Sequence, residues 1–197
     1  FWPRNGSLRG ANDPLMPQLP LTDESFREVA SRYATGVVVV TTTADGFDHA
    51  MTATSFATVS LDPMLALVCV EQETRFHDAL CGSGGPDSGG NTWGVSVLTE
   101  QAVPAASWFA TKGRPLHGQF DRFPHYRGPQ TGTILLEDSI ATMELRTTGL
   151  IPSGDHTIAL GEVLSLSVSE ELVQRTPAED SGWPLTYWAR RYRNLSR

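Results

Sequence analysis

Apolar residues recur at Phe26, Val29, Ala30 and Tyr33, the i, i+3, i+4, i+7 spacing of a single helix face. Just before them, Thr22 offers a capping hydroxyl, and Asp23 and Glu24 place two carboxylates near the positive end of the helix dipole. Gly36 predicts the stop. The pattern then changes period. Strands rich in Val, Thr and Leu are predicted over Val37 to Thr43, Ala50 to Ser60 and Met64 to Glu71, with a turn at Asp45-Gly46 and a break at Asp62-Pro63. Thr74 caps a short helix through Leu80. Trp93 to Leu98 resumes as a strand, and a helix follows around Ala102 to Phe109 with Pro104 in its first turn or kinking it.

Between these elements, residues 81 to 92 hold almost no apolar atoms and read as a surface loop. Residues 112 to 133, full of Gly, Pro and aromatics, read as a long ordered loop of functional type. Strands at Ile134 to Glu137, Ile140 to Thr148 and His156 to Ser169 precede a polar insertion at 175 to 182 and the closing "WPLTYWARRYRNL". In the strand after His156, regular alternation places Ile158, Leu160, Leu164, Leu166 and Val168 on one face, with Glu162 among them. A bulge at Gly161 would shift Glu162 away. Many short strands and few helices predict an antiparallel barrel closed on itself with helices at its ends, or an α+β sandwich.

The chain of 197 residues fits one domain, with residues 1 to 21 expected as a flexible tail or partner arm and 22 to 197 as the domain. Hydrophobic residues at 40% and charged residues at 19% are globular values, which sets aside disordered and fibrous classes. A net charge of −7 argues against a nucleic-acid partner, whose phosphates need a basic face. The longest apolar runs fall far short of the ~20 residues that span a bilayer. Cys69 and Cys81, without CxxC spacing, read as reduced thiols of a cytoplasmic protein.

Several kinds of chemistry are absent. The Gly-rich loop has Asp87 where a dinucleotide fingerprint needs its third glycine, and it follows a helix rather than a strand. No phosphate-binding G-x-x-x-x-G-K-[ST], G-x-S-x-G elbow or H-E-x-x-H pair occurs. His117, Asp121 and His125 have no spacing that fixes a metal geometry, so no metal is assigned. What remains is "MTATSFATVSLDP", residues 51 to 63. Its hydroxyls and extended backbone either form a wet strand face or bind a polar ligand such as a flavin or phosphate. Arg75, after Thr74 at a helix start, is a surface arginine or a phosphate ligand. Arg190, Arg191, Arg193 and Arg197 form a solvated basic end. Gly154-Asp155 is a turn pair, and His156 beyond it projects at the rim toward water or a ligand.

The order of these pieces resembles the flavin reductase family with a split β-barrel, the reductase halves of two-component flavin monooxygenases. The matching segments are "FREVASRYATGVVVVTT", "MTATSFATVSLDPMLALVCV", "ETRFHDAL", "WGVSVL", "WFATKG", "SGDHTIALGEV" and "PLTYWARRYRNL". The resemblance implies a mainly β, split antiparallel barrel with a few peripheral helices. It also implies a homodimer with FAD or FMN at the dimer interface, hydride delivery from NADH or NADPH, and release of reduced flavin to a partner oxygenase or halogenase. By similarity, Thr52, Ala53, Thr54, Ser55, Phe56 and Ser60 hold the flavin ring and ribityl chain, Arg75 holds phosphate, and Phe109 and Lys112 line the flavin side. Asp62, Gly154, Asp155 and Tyr192 complete the cofactor-binding set, and His156 is the catalytic contact on the nicotinamide side. A flavin carrier or sensor on the same barrel, without turnover, and a pyridoxamine-phosphate-oxidase-like enzyme are the alternatives.

Overall fold

The computed structural model describes residues 16, 18–82, 91–169 and 183–195. The Gly-rich stretch from 83 to 90, the 175–182 insertion and most of the N-terminal tail lie outside the described residues. Helix α1, Asp23–Ala30, starts as the sequence predicts, with Thr22 Oγ1 accepting from Ser25 N at 3.2 Å. It ends earlier than Gly36, and its apolar face is not a core face: Phe26, Val29 and Tyr33 are exposed. Among the described residues nothing covers that face. The following segment is instead pinned by main-chain bonding, Ala189 N donating to Ser31 O at 2.8 Å.

Short strand β1, Thr35–Gly36, precedes β2, Val38–Ala44, which pairs with β3, Phe47–Ala53, across the Asp45-Gly46 turn. Both turn residues have positive φ, 52° and 78°, as a tight hairpin of this hand demands. The run Val37 to Val40 is buried throughout because alternate residues serve two cores: Val37 and Val39 face one, Val38 and Val40 the other. The expected strand from Ala50 to Ser60 is broken. β3 stops at Ala53, and β4, Ala57–Leu61, begins after a corner at Thr54 to Phe56. At that corner the Ser55 hydroxyl accepts from Cys69 N at 3.2 Å and donates to Cys69 O at 3.1 Å, replacing the ladder bonds a continuous strand would make.

β5, Met64–Glu71, leads into α2, Arg75–His77, capped by Thr74 Oγ1 accepting from His77 N at 3.1 Å. β6, Thr92–Leu98, precedes α3, Val103–Ala110, with Pro104 in its first turn. Inside the predicted long loop lies a further strand, β7, His125–Arg127, which pairs with β8, Ile134–Leu136. β9, Ser139–Ser153, and β10, His156–Val168, form a long hairpin, and β11, Thr186–Trp188, with β12, Arg191–Arg193, closes the described chain.

The main sheet runs β3-β2-β6-β9-β10-β5-β4, all pairs antiparallel. Its two edge strands, β3 and β4, are joined by the corner at Thr54 to Phe56 rather than by a ladder. The sheet is thus split where sequence patterning predicted full closure.

Two register shifts correct the expected face of β10. Leu160 pairs Gly149 and Gly161 pairs Thr147, so the extra residue is Thr148 in β9, and β10 passes Gly161 without changing face. Glu162 therefore stays beside Leu160, where it meets Arg146 at 2.6 Å. The second shift leaves Leu164 unpaired, and Leu166, opposite Met143, lies on the other side of the sheet. The inward row is Thr157, Ala159, Gly161 and Val163. Gly161 is required there, because a Cβ would stand 2.7 Å from Cζ2 of the buried Trp93. Ile158 and Leu160 point outward with Leu65, Leu67 and Cys69, their partners across the β5 ladder and its outer row.

Candidate functional site

The corner at Thr54 to Phe56 forms one side of a groove of about 590 Å3. Thr52, Ala53, Thr54 and Ser55 line it with Arg75, Phe109, Lys112 and His156, so eight of the residues singled out from the sequence meet in one place. The others do not line it. Phe56 packs against the core around Val38 and Val68. Ser60 and Asp62 form the turn between β4 and β5, where Asp62 N donates to Ser60 Oγ at 3.2 Å. Gly154, φ +67°, and Asp155 make the tip of the β9–β10 hairpin just beyond His156. Tyr192 stacks edge-on with Tyr187 at 5.5 Å, and burial raises its phenol pKa against the hydrogen bond from Ser107.

The hydroxyl-rich segment works differently from its sequence reading. Thr52 Oγ1 donates to Ala106 O at 2.6 Å, fastening β3 to α3, and Ser55 is committed to Cys69. Two of the hydroxyls thus shape the groove. Exposed Thr54 and the main-chain groups of the corner are left to meet a ligand.

Several groove residues carried no local sequence signal. Glu71, at the end of β5, receives Lys112 Nζ at 2.8 and 3.0 Å and lies opposite His156 in the ladder. Gln72 clamps the hairpin tip: its N–H donates to Asp155 O at 3.0 Å and its side-chain amide to His156 O at 3.1 Å. The His156 Nδ1 atom lies 2.7 Å from Asp155 Oδ1. At the other end Arg75 and Arg114 approach one another, Arg75 Nη2 donating to Arg114 O at 2.6 Å. Burial and the Arg75 charge hold His49 below the usual imidazole pKa, with Asp48 and Asp45 opposing. The same two causes bring Arg114 down to about 10, so it stays charged at neutral pH. The groove thus has a cationic end, a hydroxyl and main-chain side, and an imidazole at its mouth.

The sequence model of the flavin reductase like domain matches residues 30–196. The chain belongs to the flavin reductase family. It is 37% identical over 141 residues to an NADH-dependent FAD reductase of Streptomyces globisporus, covering 71% of this chain and 73% of that one. The flavin reductase component of a bacterial two-component tryptophan halogenase superposes with a TM-score of 0.75 at 35% identity, over 89% of this chain and 99% of the other. The Streptomyces globisporus NADH:FAD oxidoreductase in complex with NAD and FAD fragments gives 0.75 at 31% identity, over 92% and 98%.

The groove suits what flavin reductases handle. Its volume lies in the range of small-molecule sites, and its cationic end matches the phosphate of FMN or FAD. Among the described residues no three His, Cys, Asp or Glu side chains gather as a metal cluster, and no helix is long and apolar enough to cross a membrane. His117 instead stacks edge-on to Phe47 at 5.1 Å, and His125 lies 5.5 Å from Phe120.

Proposed function

We propose that this chain is an NAD(P)H:flavin oxidoreductase, with NADH favoured, that reduces FAD or FMN and releases the product to a partner oxygenase or halogenase. The observation that carries the reading is one groove holding the hydroxyl-lined corner, two arginines and His156. The reduced nicotinamide supplies a hydride, and the flavin ring accepts it. The chain's part is to hold two flat rings about 3 to 3.5 Å apart and keep water out. The corner at Thr54 to Phe56 orients the flavin edge through main-chain groups, Arg75 takes its phosphate, and Phe109 and Lys112 close the side toward α3. His156, held by Asp155 and Gln72, positions the nicotinamide. No side chain has to remove a proton for a hydride to move.

The reading includes a homodimer. What supports it is the outward row of Leu65, Leu67, Ile158 and Leu160, which are only partly buried, continued by Ile151, which is 52% exposed. His156 and Cys69 lie on that same face, so a second copy there would border the groove. Free thiols at Cys69 and Cys81 accord with a cytoplasmic enzyme.

The test is steady-state oxidation of NADH and NADPH with FAD, FMN and riboflavin in turn. Rapid NADH oxidation that depends on added flavin is the expected result. A yellow, flavin-loaded protein without turnover would replace the reductase by a flavin carrier, and absence of both would overturn the reading.

A further inference from the structure

The guanidinium of Arg114 is committed to the protein itself. Its Nη1 donates to Phe109 O at 3.0 Å and Thr111 O at 3.1 Å, Nη2 donates to Ala50 O, and Nε donates to Gln119 Oε1 at 3.0 Å. Phe109 and Thr111 belong to the C-terminal turn of α3, whose last carbonyls have no intrahelical donor. Ala50 belongs to β3, the strand that leads into the flavin-side corner. One cation therefore caps a helix and ties it to the facing strand. Gln119 is itself fixed, its side-chain amide donating to Asp48 O at 2.6 Å and its main-chain carbonyl accepting from Trp108 Nε1 at 2.8 Å.

Arg75 is the reverse case. The only hydrogen bond of its guanidinium among the described residues is the one to the main-chain oxygen of Arg114. No carboxylate lies within 4.0 Å of either guanidinium among the described residues. Most donors of Arg75, which lines the groove, therefore have no partner among the described residues, and its direction is set by where the Arg114 carbonyl stands.

We propose that Arg114 is a positioning residue for phosphate recognition: it staples the 109–114 turn to β3 and, through its own carbonyl, aims Arg75 at the flavin phosphate. This rests on the flavin reading of the groove. A lysine keeps the charge but is a point donor that cannot fork to four acceptors in fixed directions. Arg114→Lys should then lose aim while retaining electrostatics.

FMN and riboflavin differ by the phosphate alone, so the ratio of their dissociation constants isolates this effect without turnover. Fluorescence quenching with the full chain would measure that ratio in wild type, Arg75→Ala, Arg114→Lys and the double variant, with Tm recorded for each. The expected preference of wild type for FMN is about tenfold or more, the scale of a charge-assisted hydrogen bond. Arg75→Ala should bring it near unity, Arg114→Lys should lower it at least about threefold on the same scale, and the double variant should match Arg75→Ala. Gln119→Met, which withdraws the acceptor of Arg114 Nε and leaves both arginines in place, should shift the ratio the same way by less, and it serves where Arg114→Lys cannot be purified. A wild-type ratio in Arg114→Lys or Gln119→Met, even with lowered Tm and uniformly weaker binding, would reduce Arg114 to a structural staple and overturn the proposal. Additive losses in the double variant would overturn it too, because Arg114 would then be acting on phosphate by itself. Wild-type protein that binds neither flavin overturns the flavin reading on which the proposal stands, and is told apart by failing before any variant is compared.

Discussion

His156 Nδ1 stands 2.7 Å from Asp155 Oδ1, between neighbours in the chain whose carbonyls are both held by Gln72. A carboxylate accepting from Nδ1–H leaves Nε2 of the neutral ring as the free nitrogen, so the pair sets which atom faces the groove. The hydrogen bond from His156, joined by the ring's charge when it is protonated, holds the Asp155 carboxyl below its usual range.

From this follows a division of effects. His156→Ala should raise the KM for NADH by about tenfold, the scale of one directed hydrogen bond in a site, while flavin affinity stays within about twofold on the same scale. Asp155→Asn should raise the NADH KM by less, since the ring remains and only its orientation loosens. Stopped-flow reduction and flavin titration check both. Equal losses for flavin and NADH would remove His156 from the nicotinamide side.

Gly161→Ala tests the packing that lets β10 pass the core. The new methyl would stand 2.7 Å from Trp93 Cζ2 and 2.9 Å from Nε1 of a fully buried indole. Overpacking of this kind costs about 1–3 kcal/mol, or roughly 2–4 °C of Tm per kcal/mol at this chain length. Gly149→Ala, whose methyl would meet only Leu160 at 3.8 Å, is the control expected to change little.

The Asp48–Arg127 pair gives a pH dependence with a definite sign. Burial raises the Asp48 pKa, but hydrogen bonds from Arg127 and Thr43 and the Arg127 charge outweigh it, and the net shift is downward. Both guanidinium nitrogens donate to the carboxylate at 2.7 Å. A depressed carboxyl adds stability above its unfolded pKa of about 3.9 and loses it as pH falls through the folded value. Asp48→Asn should therefore melt below wild type at pH 7, and the two curves should draw together below about pH 4. A gap that persists unchanged into acid would show that the charge of Asp48 is not what matters.

Much of this arrangement was legible in the sequence because it depends on local chemistry. Thr22 and Thr74 are helix caps, Asp45-Gly46 is a hairpin turn, and the Val run of β2 marks a strand buried on both faces. The break at Thr54 to Phe56 was not legible, since Ser55 reads as a strand residue until Cys69 is placed beside it. The shared face expected for Leu166 and Val168 was misread for a related reason. Alternation assumes an unbroken ladder, and the bulges at Thr148 and Leu164 depend on the partner strand. Arg114 had no signal at all: its acceptors come from β3, α3 and Gln119, segments that only the tertiary fold assembles.

That outward row supports the last prediction. Leu65, Leu67, Ile158 and Leu160 form alternate positions of two paired strands, so their side chains make one continuous apolar surface rather than scattered exposed residues. A charge at its centre would have to be desolvated if a second copy covers it, and would stay in water if none does. Leu160→Lys is therefore expected to turn a dimer into a monomer on light scattering. It should also weaken flavin binding, because His156 and Cys69 share the face and border the groove. Leu166→Lys, 57% exposed on the opposite side of the sheet beyond the second bulge, should leave the mass unchanged. A wild-type monomer at micromolar concentration, or a Leu160→Lys dimer as tight as wild type, would mean that this row is not where two copies meet.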